Sequence, residues 1–326
     1  MSFDNPHPWN LLYDGTEFVY VNPGSIVPFE EETFARGFEK FARFFVRPLF
    51  LIESGFAHIA RRLASDARDG VIAQDVAHLD SRWIDCPDNA ASNDVPVFLG
   101  QVATRIESFE CKIGGQHWFN YFTNDCDFSP GTSWTRKQGT LEAILKDRSI
   151  ESVLDLGANT GYYTRMAARQ GREVLAADFD PAVVDLAFAE SQAASVPLYP
   201  VVLDFSHPTQ GQGIDGRWFP PATERLSADL VLCFALSHHM VFGKYRLDFE
   251  QLARGVRSFA RKWALVEYVE RNNKIVPSRF RPEADCWYDI SHLEAALGRY
   301  FPVIEPLPAA KDGRRLLVCG PERSGL

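Results

Sequence analysis

One run constrains this chain more than any other: Ser152-Val-Leu-Asp-Leu-Gly-Ala-Asn-Thr-Gly-Tyr-Tyr163. It reads as an apolar strand, a loop with two glycines, and the start of a helix. A strand that is apolar along its whole length must be covered on both faces, which a parallel sheet flanked by helices achieves. Gly157 and Gly161 permit positive φ and a close approach of a ligand to the backbone. A helix that starts directly afterwards offers unpaired N–H groups and a partial positive charge.

The same rhythm continues downstream. Strands are predicted at 152–156, 173–177, 198–203, 229–234 and 263–269, and helices at 162–170, 181–192 and 249–261. Pro181 opens its helix where a missing N–H costs nothing, with Asp180 placed to cap it. Strand alternating with helix predicts a doubly wound α/β sheet. After a helix at 290–297, strands at 301–304 and 315–319 flank the turn-rich LPAAKDG segment. A short turn joins antiparallel neighbours, so the sheet is expected to have seven strands, mostly parallel, with an antiparallel last strand. The first 133 residues lack this rhythm. They hold a Pro- and Asn-rich start, an amphipathic stretch at 31–63 and an aromatic segment at 118–128. The expected organisation is an accessory region over 1–133 and an α/β domain over 134–326.

Composition removes other classes. The 326 residues are 46% hydrophobic and 24% charged, which offers enough apolar side chain to fold. Six cysteines, at 86, 111, 126, 233, 286 and 319, are too dispersed for a disulfide scaffold. With 34 basic and 43 acidic residues the net charge is −9, which disfavours nucleic acid as a partner. The apolar run at 41–52 is interrupted by Arg43, Arg47 and Pro48 and falls short of the roughly 20 residues of a membrane span. The first residues, MSFDNPHPWN, carry no secretory pattern. The expectation is a cytoplasmic protein with reduced thiols and no membrane partner.

The glycine loop departs from the dinucleotide fingerprint G-x-G-x-x-G. It reads D-x-G-x-x-x-G, with Asp155 where that fingerprint begins with glycine. A carboxylate there repels a pyrophosphate and suits an ammonium group, as in S-adenosylmethionine. Asp178, ending the second strand, suits a ribose diol. Asp204 and Phe205, ending the third, suit the amino group and ring of adenine.

Asp155-Leu-Gly-Ala-Asn-Thr-Gly161, with Asp178 and Asp204, resembles the class I S-adenosylmethionine-dependent methyltransferases, over about residues 134–326. Asp204-Phe-Ser-His-Pro-Thr209, Glu224-Arg225, Ala235-Leu-Ser-His-His239, Trp118-Phe-Asn-Tyr-Phe122 and Trp134-Thr-Arg-Lys137 are similar to a bacterial subgroup that includes nodulation-associated proteins. The resemblance implies S-adenosyl-L-methionine as cofactor and S-adenosyl-L-homocysteine as product. The expected cofactor site is Asp155, Gly157, Asn159, Gly161, Asp178, Asp204 and Phe205, with Trp134 and Lys137 meeting the cofactor's carboxylate from a helical lid.

Methyl transfer to oxygen often needs a base. His238 and His239 follow the fourth strand at the carboxyl edge of the sheet, where open α/β folds bind ligands, and imidazole titrates near neutrality. Glu267, late in the fifth strand, is expected either to orient an acceptor or to bond a nearby backbone group. Trp118, Phe119, Tyr121, Phe122 and His207 are the candidates for the acceptor pocket. No metal is expected. The acceptor is read as a small molecule methylated at oxygen or nitrogen. The alternatives are a protein or tRNA acceptor, a nicotinamide-dependent oxidoreductase, and a non-catalytic cofactor-binding protein.

A second resemblance lies at the start. His7-Pro-Trp-Asn-Leu-Leu-Tyr-Asp-Gly15 and Phe18-Val-Tyr-Val-Asn-Pro-Gly-Ser25 are similar to the catalytic and metal loops of aminoglycoside-phosphotransferase-type kinases. Asn5 and Asn22 stand where that pattern has its acidic base and metal ligand. Without those carboxylates phosphoryl transfer is not expected, and the segment reads as a structural remnant or a simple β-hairpin.

Overall fold

The structure, a computed structural model, describes residues 1–66, 68–79, 94–109, 135–147, 149–271, 273, 276, 280–281, 283–308 and 313–322. The chain divides into two compact units, Met1–Gly114 and Gly115–Leu326. The boundary at 133/134 expected from sequence falls outside the described residues.

In the first unit, β1 (Ser2–Phe3) pairs antiparallel with β4 (Ile26–Val27), and β2 (Leu11–Tyr13) pairs with β3 (Phe18–Tyr20) as a hairpin. The expected amphipathic stretch is three helices: α1 (Glu31–Phe41), α2 (Arg47–Glu53) and α3 (Ala57–Ala64). A π-helical turn, Ala42–Val46, joins the first two, and Gly55 at φ 88° breaks the chain before the third. α4 (Val95–Glu107) completes the unit. Phe38, Ala42, Val46 and Phe50 are spaced four apart and share one buried row. Arg47 is also buried there, where Glu39 accepts from both its terminal nitrogens at 2.8 and 2.6 Å. At the start of the chain, the Asn5 side-chain oxygen accepts from Lys40, and Asp4 pairs with Arg36.

The second unit holds a seven-stranded sheet in the order β10-β11-β9-β8-β5-β6-β7. The elements are α5 (Arg136–Asp147), β5 (Ser152–Leu156), α6 (Tyr162–Ala168), β6 (Glu173–Asp178), α7 (Pro181–Ala194), β7 (Tyr199–Val202), α8 (Ala222–Arg225), β8 (Ala228–Cys233), α9 (Ser237–Phe242), α10 (Phe249–Phe259), β9 (Ala260–Val269), α11 (Ile290–Gly298), β10 (Val303–Pro306) and β11 (Arg314–Gly320). β7, β6, β5, β8 and β9 run parallel. β11 inserts antiparallel between β9 and β10. This is the doubly wound, mostly parallel, seven-stranded sheet expected from the sequence. The hairpin's second strand, not its first, lies against the parallel strands.

Side-chain parity divides the core in two. Leu154, Leu156, Val231, Cys233, Ala264, Val266, Leu317 and Cys319 face the layer of α9, α10 and α11. Val153, Leu230, Leu232, Leu265, Leu316 and Val318 face α5 and α6 through Leu141, Leu145, Tyr162, Tyr163 and Met166. Every residue of β5 is buried.

Most predicted boundaries fall within two residues of the observed ones. β9 is the exception, starting at Ala260 rather than at 263. Arg261 and Lys262 disguise its exposed beginning. There Arg261 donates to Ser152 Oγ and Ser227 O, and Lys262 pairs with Asp229. Among the described residues no helix is long and apolar enough to cross a membrane.

Leu230 is fully buried in β8, the central strand of the sheet, which pairs with β5. Leu230→Ala should cost about 2–5 kcal/mol in equilibrium denaturation followed by a probe in the second unit. A loss below about 1 kcal/mol would contradict this packing.

Candidate functional site

β6 and β7 lie on one side of β5, and β8 and β9 on the other. The winding therefore reverses between β5 and β8, and the crevice at their carboxyl ends is where such sheets take ligands. Residues 157–161 and 234–239 leave the sheet at this point.

The glycine loop is folded back on β6. The N–H groups of Gly157 and Ala158 both donate to the Ala177 carbonyl, at 2.8 and 3.0 Å. Gly157, Asn159 and Gly161 all have positive φ, at 73°, 52° and 76°. At Gly161 a Cβ would find only ordinary contacts, 3.8 Å or more away. The left-handed conformation, not lack of space, therefore calls for glycine. Asn159 adopts this region as asparagine can, and its side-chain oxygen accepts from the Thr160 N–H at 2.8 Å.

Asp155 and Asp178 flank this loop. Asp155 is buried and accepts one hydrogen bond, from Thr164 Oγ1 at 3.0 Å. Burial pushes its carboxyl up to about 7, reinforced by nearby Asp178 and opposed by the Thr164 hydroxyl and Lys137. Asp178 accepts from the Asn159 N–H at 2.9 Å on one oxygen and from the Asp180 N–H at 2.9 Å on the other. Burial raises its carboxyl too, against those donors. Each carboxylate oxygen has two lone pairs, so both groups keep capacity for a ligand. Asp180 caps α7 as expected, accepting from the Ala182 N–H at 3.0 Å.

The third strand end differs from expectation. Asp204 closes its own turn, accepting from the Ser206 N–H at 2.9 Å and Ser206 Oγ at 2.5 Å, while its second oxygen takes the Tyr245 hydroxyl at 3.3 Å. The Phe205 ring is buried against Gly255 and Phe259 of α10. It is committed to the core rather than offered to a base, which corrects the expectation for its ring. Phe179, directly after Asp178, is 62% exposed and was not singled out from the sequence. The available signal was an apolar residue where the strand had already ended.

The fourth and fifth strand ends meet at Glu267, which has no exposed surface. One of its carboxylate oxygens accepts from the Ala235 N–H at 2.6 Å and lies 3.3 Å from Lys137 Nζ. Arg314 approaches both oxygens at 3.3 and 3.4 Å. The Glu267 carbonyl accepts from Ser237 Oγ at 2.6 Å. Of the two expected roles, the geometry shows the backbone bond. Lys137 also sits 5.5 Å from the ring centroids of Tyr163 and Phe234. Burial, with Glu267 nearby, raises the Tyr163 hydroxyl. Arg314 was not singled out by sequence, because its partner lies far away in the chain.

His238 is buried and His239 half-buried on α9, with ring centroids 4.0 Å apart. His207 is exposed in the turn after β7. Trp118, Phe119, Tyr121, Phe122 and Trp134 lie outside the described residues. Among the described residues no group of three or more His, Cys, Asp or Glu could hold a metal ion.

Comparison with known proteins bears on this arrangement. Residues 154–261 match a family model described as a methyltransferase domain. The chain is 24% identical over 313 residues to the nodulation protein NoeA of Rhizobium meliloti (strain 1021). That match covers 86% of this chain and 65% of NoeA, so the chain spans just under two thirds of that relative. Among solved structures it resembles the bifunctional kinase-methyltransferase WbdD, at 13% identity and a TM-score of 0.41, over 58% of this chain and 39% of that one. It also resembles magnesium protoporphyrin IX methyltransferase from Synechocystis PCC 6803 with bound SAM, at 11% identity and a TM-score of 0.39, over 59% of this chain and 87% of that one.

Asp155 gives the site a pH signature. Its folded pKa lies above the unfolded value of 3.8, so folding takes up a proton between 3.8 and about 7. Stability linked to this group is complete below the lower value and lost as pH rises through the upper. Asp155→Asn removes the dependence. Its stability relative to the parent chain should rise from about pH 4 to about pH 7 and then level off. Denaturation at a series of pH values checks this, and a difference that does not vary with pH would exclude it.

Proposed function

We propose that this chain, which carries a class I S-adenosylmethionine-dependent methyltransferase domain, transfers a methyl group to an oxygen or nitrogen atom of a small-molecule acceptor. The observation that carries this reading is the pair of buried strand-end carboxylates, Asp155 and Asp178, on either side of a loop with three positive-φ residues. A pyrophosphate would be repelled by that pair. A cofactor with an ammonium and a ribose diol matches it, donor to acceptor.

The cofactor, when bound, supplies a sulfonium methyl group and leaves as S-adenosyl-L-homocysteine. Asp155 would hold its ammonium, and the positive charge would draw the Asp155 proton away. Asp178 would take the ribose hydroxyls on its free lone pairs. Gly157, Asn159 and Gly161 set the loop's path. Phe179 offers a ring to the adenine, and Asp204, through the turn it closes, shapes the adenine end. Lys137 would meet the cofactor's carboxylate, with Trp134 beside it in the sequence. His238 and His239 are the candidates to accept a proton from the acceptor. Trp118, Phe119, Tyr121, Phe122 and His207 enter the reading as acceptor-binding candidates, and residues 1–133 as an accessory region. The reaction is assigned to the cytoplasm, where the free thiols of Cys233, Cys286 and Cys319 stay reduced.

Calorimetry on the full chain tests the cofactor. S-adenosyl-L-methionine and S-adenosyl-L-homocysteine should bind, and Asp178→Ala should weaken both by about ten- to a hundredfold, the scale of lost hydrogen bonds to a charged group. Binding of a nicotinamide dinucleotide without binding of S-adenosyl-L-methionine would sink the reading.

A further inference from the structure

Glu267 is a fully buried carboxylate at the carboxyl edge of the sheet. Its surroundings follow from strand register. Leu316 of β11 lies directly across from Glu267, and Arg314 lies across from Val269. Directly paired residues share a face of an antiparallel pair, as do residues two apart on one strand. Arg314, Leu316 and Glu267 therefore point to the same side. It is the side of Leu265 and Phe234, beneath α5, which carries Lys137. Asp155 shares it by the parity of β5, two residues after Val153.

A carboxylate with no exposed surface needs partners for its charge. Glu267 has three: the Ala235 N–H, Lys137 and Arg314. Its own carbonyl takes a fourth group, the Ser237 hydroxyl. The turn from β8 into α9 is thus gripped at both ends by one residue of β9. Ala235 needs that grip, because its φ is 49° and a non-glycine residue resists that region. Between the two gripped residues sits Leu236, and a Cβ on Gly157 would lie 3.3 Å from its side chain. The turn is in this way packed directly on the glycine loop.

We propose that Glu267 and Arg314 are positioning residues for the amino-acid end of the cofactor pocket. Glu267 fixes the 235–237 turn, and with it Leu236 against Gly157. Arg314 and Lys137 share the Glu267 charge, and this sharing holds Lys137 over the rings of Tyr163 and Phe234. The inference rests on the methyltransferase reading, because it needs Lys137 to face the cofactor's carboxylate. Arg314 acts through Glu267.

The test compares two ligands on the full-length chain by calorimetry. S-adenosyl-L-homocysteine has the amino-acid end, and 5′-methylthioadenosine lacks it. Arg314→Gln and Glu267→Gln should each weaken S-adenosyl-L-homocysteine about tenfold, as expected when a charged contact loses its support. Arg314→Lys should restore affinity to within about threefold, since the charge returns. 5′-Methylthioadenosine should change less than about threefold in all three variants. Equal weakening of both ligands, in step with a lowered melting temperature, would mean a purely structural role and overturn the proposal. So would no weakening of either. Failure of the parent chain to bind S-adenosyl-L-homocysteine at all would instead refute the methyltransferase reading beneath it. Should Arg314→Gln not fold, the Glu267→Gln and Lys137→Met double-mutant cycle decides. Less-than-additive losses support the coupling, and additive losses refute it.

Discussion

Burial of the neighbouring strands β5 and β8 on both faces is the constraint from which the rest of the second unit follows. All of β5 is buried, and so are all the residues of β8. Neither face of either strand can hold a solvated polar group without a partner, because an unpaired one would cost several kcal/mol, roughly 1–3 even by mutational measures. Irregular backbone and charge are therefore pushed to the strand ends. At the carboxyl end the winding reverses direction, which leaves a crevice between residues 157–161 and 234–239. The place where the fold needs compensating partners is also where it can receive a ligand.

Four acidic residues at this edge meet that need in different ways. Asp204 uses three donors from its own turn and from Tyr245, so its charge is spent on local structure. Glu267 is surrounded by one N–H and two cations, so it ties elements together. Asp178 has a backbone N–H on each oxygen and spare lone pairs. Among the described residues Asp155 accepts from the Thr164 hydroxyl alone, and burial pushes its carboxyl up to about 7. It is the group whose state an arriving cation would change most. Two of the four keep few partners, and two are taken up by the structure around them.

The legible part of this arrangement was local. Continuous apolar runs marked the strands because parallel strands are covered on both faces. The acidic strand ends and the glycines at 157 and 161 lie within a few residues of the structure they create. Asp180 was readable as a cap for the same reason. What was hidden depends on distance along the chain. Arg314 is 47 residues from Glu267 and Lys137 is 130. No sequence pattern announces a carboxylate whose partners come from three other elements. Phe205 looked free because it follows a strand, yet α10 passes over it with Gly255 at the point of contact. The charges at 261 and 262 hid the start of β9, since a strand end that bonds outward to Ser152, Ser227 and Asp229 does not look apolar.

Long-range ties matter most for α9, the helix that carries His238 and His239. It has six residues, far fewer than the ~12–15 at which even a favourable isolated helix becomes marginal in water. Its shape must be imposed from outside. At its start the imposition comes from Glu267, through Ala235 and Ser237. At its end the chain is drawn back by the Leu247 N–H, which donates to the Met240 carbonyl at 3.0 Å. Tyr245 then anchors to Asp204, and Arg246 to buried Asp285 at 2.5 Å. The two imidazoles are therefore placed by the turn after β7, by β9 and by the segment before α11 rather than by their own helix. A change at any of those anchors would reach them without touching them. Their position relative to the glycine loop is a property of the whole carboxyl edge, with Leu236 on Gly157 as the point where the two halves of the crevice meet.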